Sequence, residues 1–186
     1  MHTLQSFILS LLNSPLIQGL FFMLILAVIT DLRARKIPNM LLLFGLIASL
    51  IGQTITPNGV GWLNWLTGVC VAFACFIPLY LLRAMAAGDV KLMMAVGGFL
   101  GYPLINTVVI YSYLAGGVIA ICYVLVNGRV NLLMRNLYLM TFGRFIKTAH
   151  GRNVYDGQVI KQSAGRIPFA LAIAIGTFIT LISGVK

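Results

Sequence analysis

The sequence predicts an all-α membrane protein, a polytopic bundle of about six transmembrane helices with one basic cytoplasmic loop. Three observations carry this prediction. The 186 residues are 60% hydrophobic and 9% charged, with a mean hydropathy of +1.01, which is too apolar for a soluble domain whose surface must be charged. Apolar runs long enough for helical spans recur along the chain, separated by short charged stretches. Thirteen Lys and Arg stand against three acids, all of them Asp, for a net charge of +10. On a membrane protein such a balance reports the positive-inside rule rather than nucleic-acid binding. A nucleic-acid partner would need its basic residues gathered on a water-soluble element with one of the usual motifs, and none is present.

A bilayer crossing takes about 20 apolar residues of helix. The runs between charges place the first three spans at approximately 14–31, 38–55 and 62–83. Residues 92–126 contain no charge, but as one helix they would reach roughly 50 Å, well beyond the hydrocarbon core. They must fold back once. The break is expected at Gly101-Tyr102-Pro103, because Pro cannot continue a helix and Gly tolerates turn geometry, which gives spans near 89–101 and 104–127. The last span covers 167–184. Residues 128–166 form the one sizeable aqueous loop, and within it 131–147 mixes large apolar residues with Arg135, Arg144 and Lys147. That pattern suits an interfacial helix on the inner leaflet, against anionic headgroups. The whole chain, 1–186, reads as one transmembrane domain.

Charge placement tests the count, since each added or lost crossing moves every later loop to the other side. With the N-terminus outside, the inner side receives Arg33, Arg35 and Lys36, then Arg83 and Lys91, then all seven basic residues from Arg129 to Arg166. Twelve of the thirteen fall inside and only Lys186 falls outside. No Lys or Arg precedes the first apolar stretch and no small-residue cleavage site follows it, so no removable signal peptide is expected. Cys70, Cys75 and Cys122 lie in apolar runs without CxxC pairs or His at ligand spacing. Neither a metal site nor a disulfide is expected, and no cofactor.

Two of the acids sit at inner span ends: Asp31 closes the first and Asp89 opens the fourth. An ionisable side chain at a membrane position is expensive, so it is by default a functional hypothesis. For Asp89 the plain alternative is an N-cap at Gly88-Asp89. For Asp31 that alternative is weaker, because a carboxylate at a helix C-terminus meets the unfavourable end of the dipole, which Arg33 and Arg35 would have to offset. The topology puts both carboxylates at one depth on one side. Two carboxylates that approach each other cannot both ionise cheaply, so they share a proton. This is what an aspartic protease requires: one Asp takes a proton from water while the other polarises the scissile carbonyl. The rival chemistries lack their residues, with no HExxH, no Gly-x-Ser-x-Gly and no phosphate-cradling glycine motif. Asp156 reads as a solvated loop residue.

The segment Asp31-Leu32-Arg33-Ala34-Arg35-Lys36-Ile37-Pro38-Asn39 resembles the first aspartate motif of the type IV prepilin peptidases, and Ala86-Ala87-Gly88-Asp89-Val90-Lys91-Leu92 resembles their second, Gly-x-Gly-Asp-x-Lys-Leu. Arg166-Ile167-Pro168-Phe169-Ala170, with Gly176 beyond it, is similar to the family's C-terminal element. The pieces recur in order over nearly the whole chain. The resemblance is closest to the small, peptidase-only members that serve Flp-type (tight-adherence) pili. It implies Asp31 and Asp89 as the catalytic pair, with Gly88, Lys91, Pro38 and Asn39 as motif or positioning residues. It implies no methyltransferase activity, since the paired CxxC motifs of larger members are missing. One departure stands out: position 86 is Ala where the motif has its first Gly, which bears on how closely the chain can approach before Asp89. The presenilin-like proteases share a related Gly-Asp motif, but their first Asp follows Tyr and here Thr30 precedes it.

The residues themselves suggest plainer roles for some of these positions. Pro38 suits a helix start, Gly88 a close backbone approach or a simple boundary, and Lys91 a positive-inside anchor. Gly45, Ser49, Gly116, Gly117, Ala170 and Ala174 suit helix packing. The expected function is an intramembrane aspartic endopeptidase in the bacterial inner membrane, with its N-terminus outside and its catalytic residues near the cytoplasmic face. Expected partners are prepilins, each a leader plus a hydrophobic helix, and the lipid bilayer, with components of the pilus or secretion machinery as further candidates. Two rivals remain: a small proton-coupled transporter and a catalytically silent assembly subunit.

Overall fold

The computed structural model describes residues 14–55, 61–82, 85–126 and 169–183. They form six α-helices and, among the described residues, no strand: α1 (Pro15–Ala34), α2 (Asn39–Ile55), α3 (Gly61–Leu81), α4 (Ala87–Leu100), α5 (Leu104–Val126) and α6 (Phe169–Ile182). The protein is an all-α membrane protein. By length and composition Pro15–Ala34, Gly61–Leu81 and Leu104–Tyr123 are apolar enough to cross a bilayer, while Asn39–Ile55 and Phe169–Ile182 are shorter apolar helices. The expected loop 128–166 and its interfacial helix lie outside the described residues, as do Arg166, Ile167 and Pro168 of the C-terminal element.

The chain divides into two compact units, residues 1–116 with 168–186, and residues 117–167. Of the second unit the described part is the end of α5. The first unit contains both aspartates and the packing around them.

Local sequence sets the helix ends. Pro15 occupies the first position of α1, where its missing N–H is harmless, and the carbonyl of Ser14 accepts the amides of Ile17 and Gln18. At its other end Arg35 turns left-handed (φ 51°) and donates its amide to the Asp31 carbonyl. Ile37 cannot resume the helix easily because Pro38 follows it. Pro38 stands just ahead of α2, its carbonyl accepting the Leu42 amide at 3.4 Å, one place earlier than a first-turn position. The helices break where the sequence placed the interruption: α4 stops at Leu100, Gly101 adopts φ 67°, the Tyr102–Pro103 peptide is cis, and α5 starts at Leu104.

Helix α4 lies at the centre of its unit, in contact with α1, α2, α3 and α6. Ten of its fourteen residues are buried. It crosses α3 where Gly68 meets Gly97, so closely that a Cβ on Gly68 would stand 2.2 Å from the Gly97 carbonyl oxygen. Small residues are what allow helices to pack when lipid replaces water as solvent and the hydrophobic effect no longer drives them together. The C-terminal end of α4 is tied by side chains from its neighbours. Buried Gln53 of α2 donates to the carbonyls of Gly98 (3.3 Å) and Phe99 (2.9 Å), two of the carbonyls a helix leaves unpaired at its C-terminus. Asn64 of α3 accepts the Tyr102 amide at 3.0 Å. Trp65 donates to Ser49 (2.9 Å) beside Gly98.

In α3, Pro78 leaves the Ala74 carbonyl without its helical donor, and Tyr113 of α5 donates to the adjacent Cys75 carbonyl. The Tyr113 ring stacks on Phe76 at 5.0 Å, and Phe169 meets Phe76 edge-on at 6.0 Å. Gly116 receives the Phe169 ring and Gly45 receives Met23, whereas among the described residues nothing lies within 4 Å of a Cβ on Gly117. Phe22, Phe44, Leu63, Leu81 and Leu114 are among the large apolar side chains left exposed. Such a surface is suited to lipid.

Candidate active site

Both span-end aspartates are buried, Asp31 with 8% and Asp89 with 7% of its surface exposed. They come from different helices, the last turn of α1 and the first turn of α4. The fold brings the two carboxylates within electrostatic reach of one another. Asp31 Oδ2 accepts the backbone amide of Ala170 at 3.2 Å, and Asp89 Oδ2 accepts that of Ala86, also at 3.2 Å. Each carboxylate therefore faces a helix N-terminus, the positive end of a dipole with unpaired N–H donors. Among the described residues, neither carboxylate forms an ion pair.

The support for Asp31 differs from the sequence expectation. Arg33 and Arg35 are exposed, and it is α6, 139 residues away in sequence, that supplies a favourable dipole to a carboxylate at the end of α1. The Asp89 expectation also needs adjustment. Ala86 is the N-cap of α4, and Asp89 is the third helical residue. Its carboxylate reaches back to the N-cap amide, and its own amide donates to the Ala86 carbonyl at 3.1 Å. This is one half of a capping box, since Ala has no side-chain acceptor to supply the other. Position 86 takes φ −84° and ψ 154°, extended backbone open to any residue, so Ala in place of the motif's Gly requires no distortion.

The remaining motif residues gather at the same end of the bundle. Lys91 Nζ donates to Asn39 Oδ1 at 3.1 Å, joining α4 to the start of α2. Gly88 faces Ile37, and a Cβ there would meet it at 3.6 Å, an ordinary contact. Among the described residues, no group of three or more His, Cys, Asp or Glu is placed to hold a metal ion. Sequence reasoning did not find Ala170's role, because a backbone donor leaves no mark in residue type; the only pointer was the C-terminal element in which Ala170 lies.

The sequence model of the type IV leader peptidase family matches residues 19–121. The chain belongs to this family. The matched region carries both aspartates, and membership makes the protein a membrane peptidase of the leader-peptidase type, with prepilins as its substrate class. The family match ends before α6, so the Ala170 amide that holds Asp31 lies outside it. No curated protein and no solved structure matches the chain.

Proposed function

We propose that this leader peptidase is an intramembrane aspartic endopeptidase that removes the leader of Flp-type prepilins at the cytoplasmic face of the bacterial inner membrane, with Asp31 and Asp89 as its catalytic residues. One observation carries the reading: two buried carboxylates from separate helices lie in electrostatic reach of each other, each with one oxygen engaged by a backbone amide. Such a pair shares a proton. The ionised member takes a proton from water, and the hydroxide so formed adds to the scissile carbonyl carbon. The protonated member donates to the carbonyl oxygen and stabilises the tetrahedral intermediate. Collapse breaks the C–N bond as a proton passes to the leaving nitrogen, and no covalent enzyme intermediate is required.

The backbone amides of Ala170 and Ala86 fix the orientation of the two carboxylates. Their other oxygens, to which no described donor is bonded, are left for water and substrate. Asn39 holds the Lys91 ammonium at the start of α4, where Pro38 and Gly88 also lie. The positive-inside distribution of charge supports a cytoplasmic location for this end of the bundle. The chain acts as a peptidase domain without methyl transfer.

The test is co-expression with a tagged Flp-type prepilin, reading substrate mass for wild type, Asp31→Asn and Asp89→Asn at matched membrane levels. Leader loss with wild type, abolished by either substitution, is expected. Cleavage that survives both substitutions would refute the two-aspartate mechanism. Asp-dependent ion flux in liposomes without cleavage would favour a transporter, and a pilus phenotype indifferent to both substitutions a silent subunit.

A further inference from the structure

Helices α1 and α6 leave an open groove of about 450 Å³ between them. Leu24, Ile25 and Val28 line it from α1, and Leu171, Ala174 and Ile175 from α6. Its two ends differ. At one end Phe21 and Phe178, also lining residues, meet edge-on with ring centroids 6.4 Å apart. At the other end the helical stripe of α1 continues from Val28 by three residues to Asp31, and Leu171 of α6 is followed towards the N-terminus by Ala170. There the Ala170 amide bonds to the Asp31 carboxylate, so the groove ends within a helical turn of the site. From Phe21 to Ile29 it spans about 12 Å, two turns of helix.

We infer that this groove receives the first two turns of the substrate's hydrophobic helix, immediately beyond the scissile bond. The inference rests on the peptidase reading above. A leader substrate presents its cleavage point at Asp31 and must send the following segment back across the bilayer. The groove offers that segment a wholly apolar channel, starting within a helical turn of the carboxylate and running in the required direction. The substrate helix then lies parallel to α6 and antiparallel to α1. Its apolar residues at helical spacing fill a concavity lined by side chains at the same spacing. An acyl chain also fits such a surface, but gains nothing from an end that stops at a carboxylate.

The test uses the full chain in proteoliposomes with a full-length Flp-type prepilin. Ala174→Phe fills the groove from α6, and KM for the prepilin should rise about tenfold or more while kcat is held. A second measurement does not depend on that variant folding. A photo-crosslinking amino acid is placed at the exposed positions Ile25 or Ile175, or as a control at Leu63 of α3, which does not line the groove, in the Asp31→Asn enzyme, which should bind prepilin without cutting it. Crosslinks from 25 and 175 should map to the start of the prepilin's hydrophobic segment, with none from 63. Crosslinks from 25 and 175 to lipid alone, or a folded Ala174→Phe enzyme with unchanged KM, overturn the groove assignment and leave the peptidase reading standing. Failure of the wild type to cut any prepilin overturns both.

Discussion

Substituting Gly68 by Ala should separate two helices and reduce activity at a carboxylate that Gly68 does not touch. A Cβ at this position would lie 2.2 Å from the Gly97 carbonyl oxygen and 2.9 Å from Gly101 Cα. Both obstacles are backbone, so no rotamer change relieves them. Restoring an ordinary contact of 3.4 Å from 2.2 Å requires α3 and α4 to part by about 1.2 Å. Overpacking of this kind costs about 1–3 kcal/mol, offset by up to about 1 kcal/mol from the better helix propensity of Ala. A net loss of about 0.5–2 kcal/mol is expected. The displaced helix carries Asp89, eight residues or about 12 Å along the axis from Gly97. A misplacement near 1 Å at a reacting group can cost about 100-fold in rate. The assays are thermal unfolding of the purified protein in detergent and prepilin cleavage, with Gly19→Ala as control, because a Cβ there meets only the Phe99 ring at an ordinary 3.5 Å. If Gly68→Ala matches Gly19→Ala in both unfolding midpoint and kcat/KM, the α3–α4 crossing does not position Asp89.

Three further outcomes are expected. Gln53→Leu leaves the Gly98 and Phe99 carbonyls without their side-chain donor and should lower stability by about 1–3 kcal/mol, measured by thermal unfolding in detergent; an unchanged midpoint would show that these carbonyls find another donor. Ser112 has a fully buried hydroxyl with no hydrogen-bond partner among the described residues, pressed against Gly176, so Ser112→Ala should be neutral or stabilising by up to about 1 kcal/mol, and a clear loss of stability would mean that the hydroxyl is bonded after all. Asp31→Asn keeps an oxygen acceptor for the Ala170 amide, whereas Asp31→Leu does not, so both should be inactive but only the Leu variant should lose about 1–3 kcal/mol, as read by comparing their unfolding midpoints.

The sequence made the helices and the two aspartates legible because both leave local signals. Apolar runs mark the spans, Gly101 and Pro103 mark the break in the charge-free stretch, and an acid at a span end is conspicuous for its cost. What holds the aspartates in place was not legible. The Ala170 amide reaches Asp31 across 139 residues, and the charged neighbours that the sequence offered instead, Arg33 and Arg35, are exposed. The capping role at Gly88-Asp89 was off by a few residues because Ala86 lacks the side chain by which an N-cap is usually recognised. Of the glycines, spacing alone could not separate Gly97, which admits no Cβ, from Gly88, which does. Close approach belongs to a pair of helices, and a single sequence shows only one member at a time.

The shortness of α4 ties these observations together. Its fourteen residues extend about 21 Å, less than the roughly 30 Å hydrocarbon core. A helix too short to cross that core leaves unpaired carbonyls or amides where lipid cannot satisfy them, so neighbouring protein must. Gln53 and Asn64 serve the end at Gly98–Tyr102, which is buried up to Gly101. At the other end Asp89 itself takes the Ala86 amide. One carboxylate thus terminates the helix that carries it and lies within electrostatic reach of the second carboxylate, which in turn receives an amide from the start of α6. The proposed catalytic pair is therefore held by the same contacts that complete two helix ends. An Asn at either position preserves an acceptor for those contacts while removing the acid, which makes Asp→Asn the substitution that separates chemistry from fold.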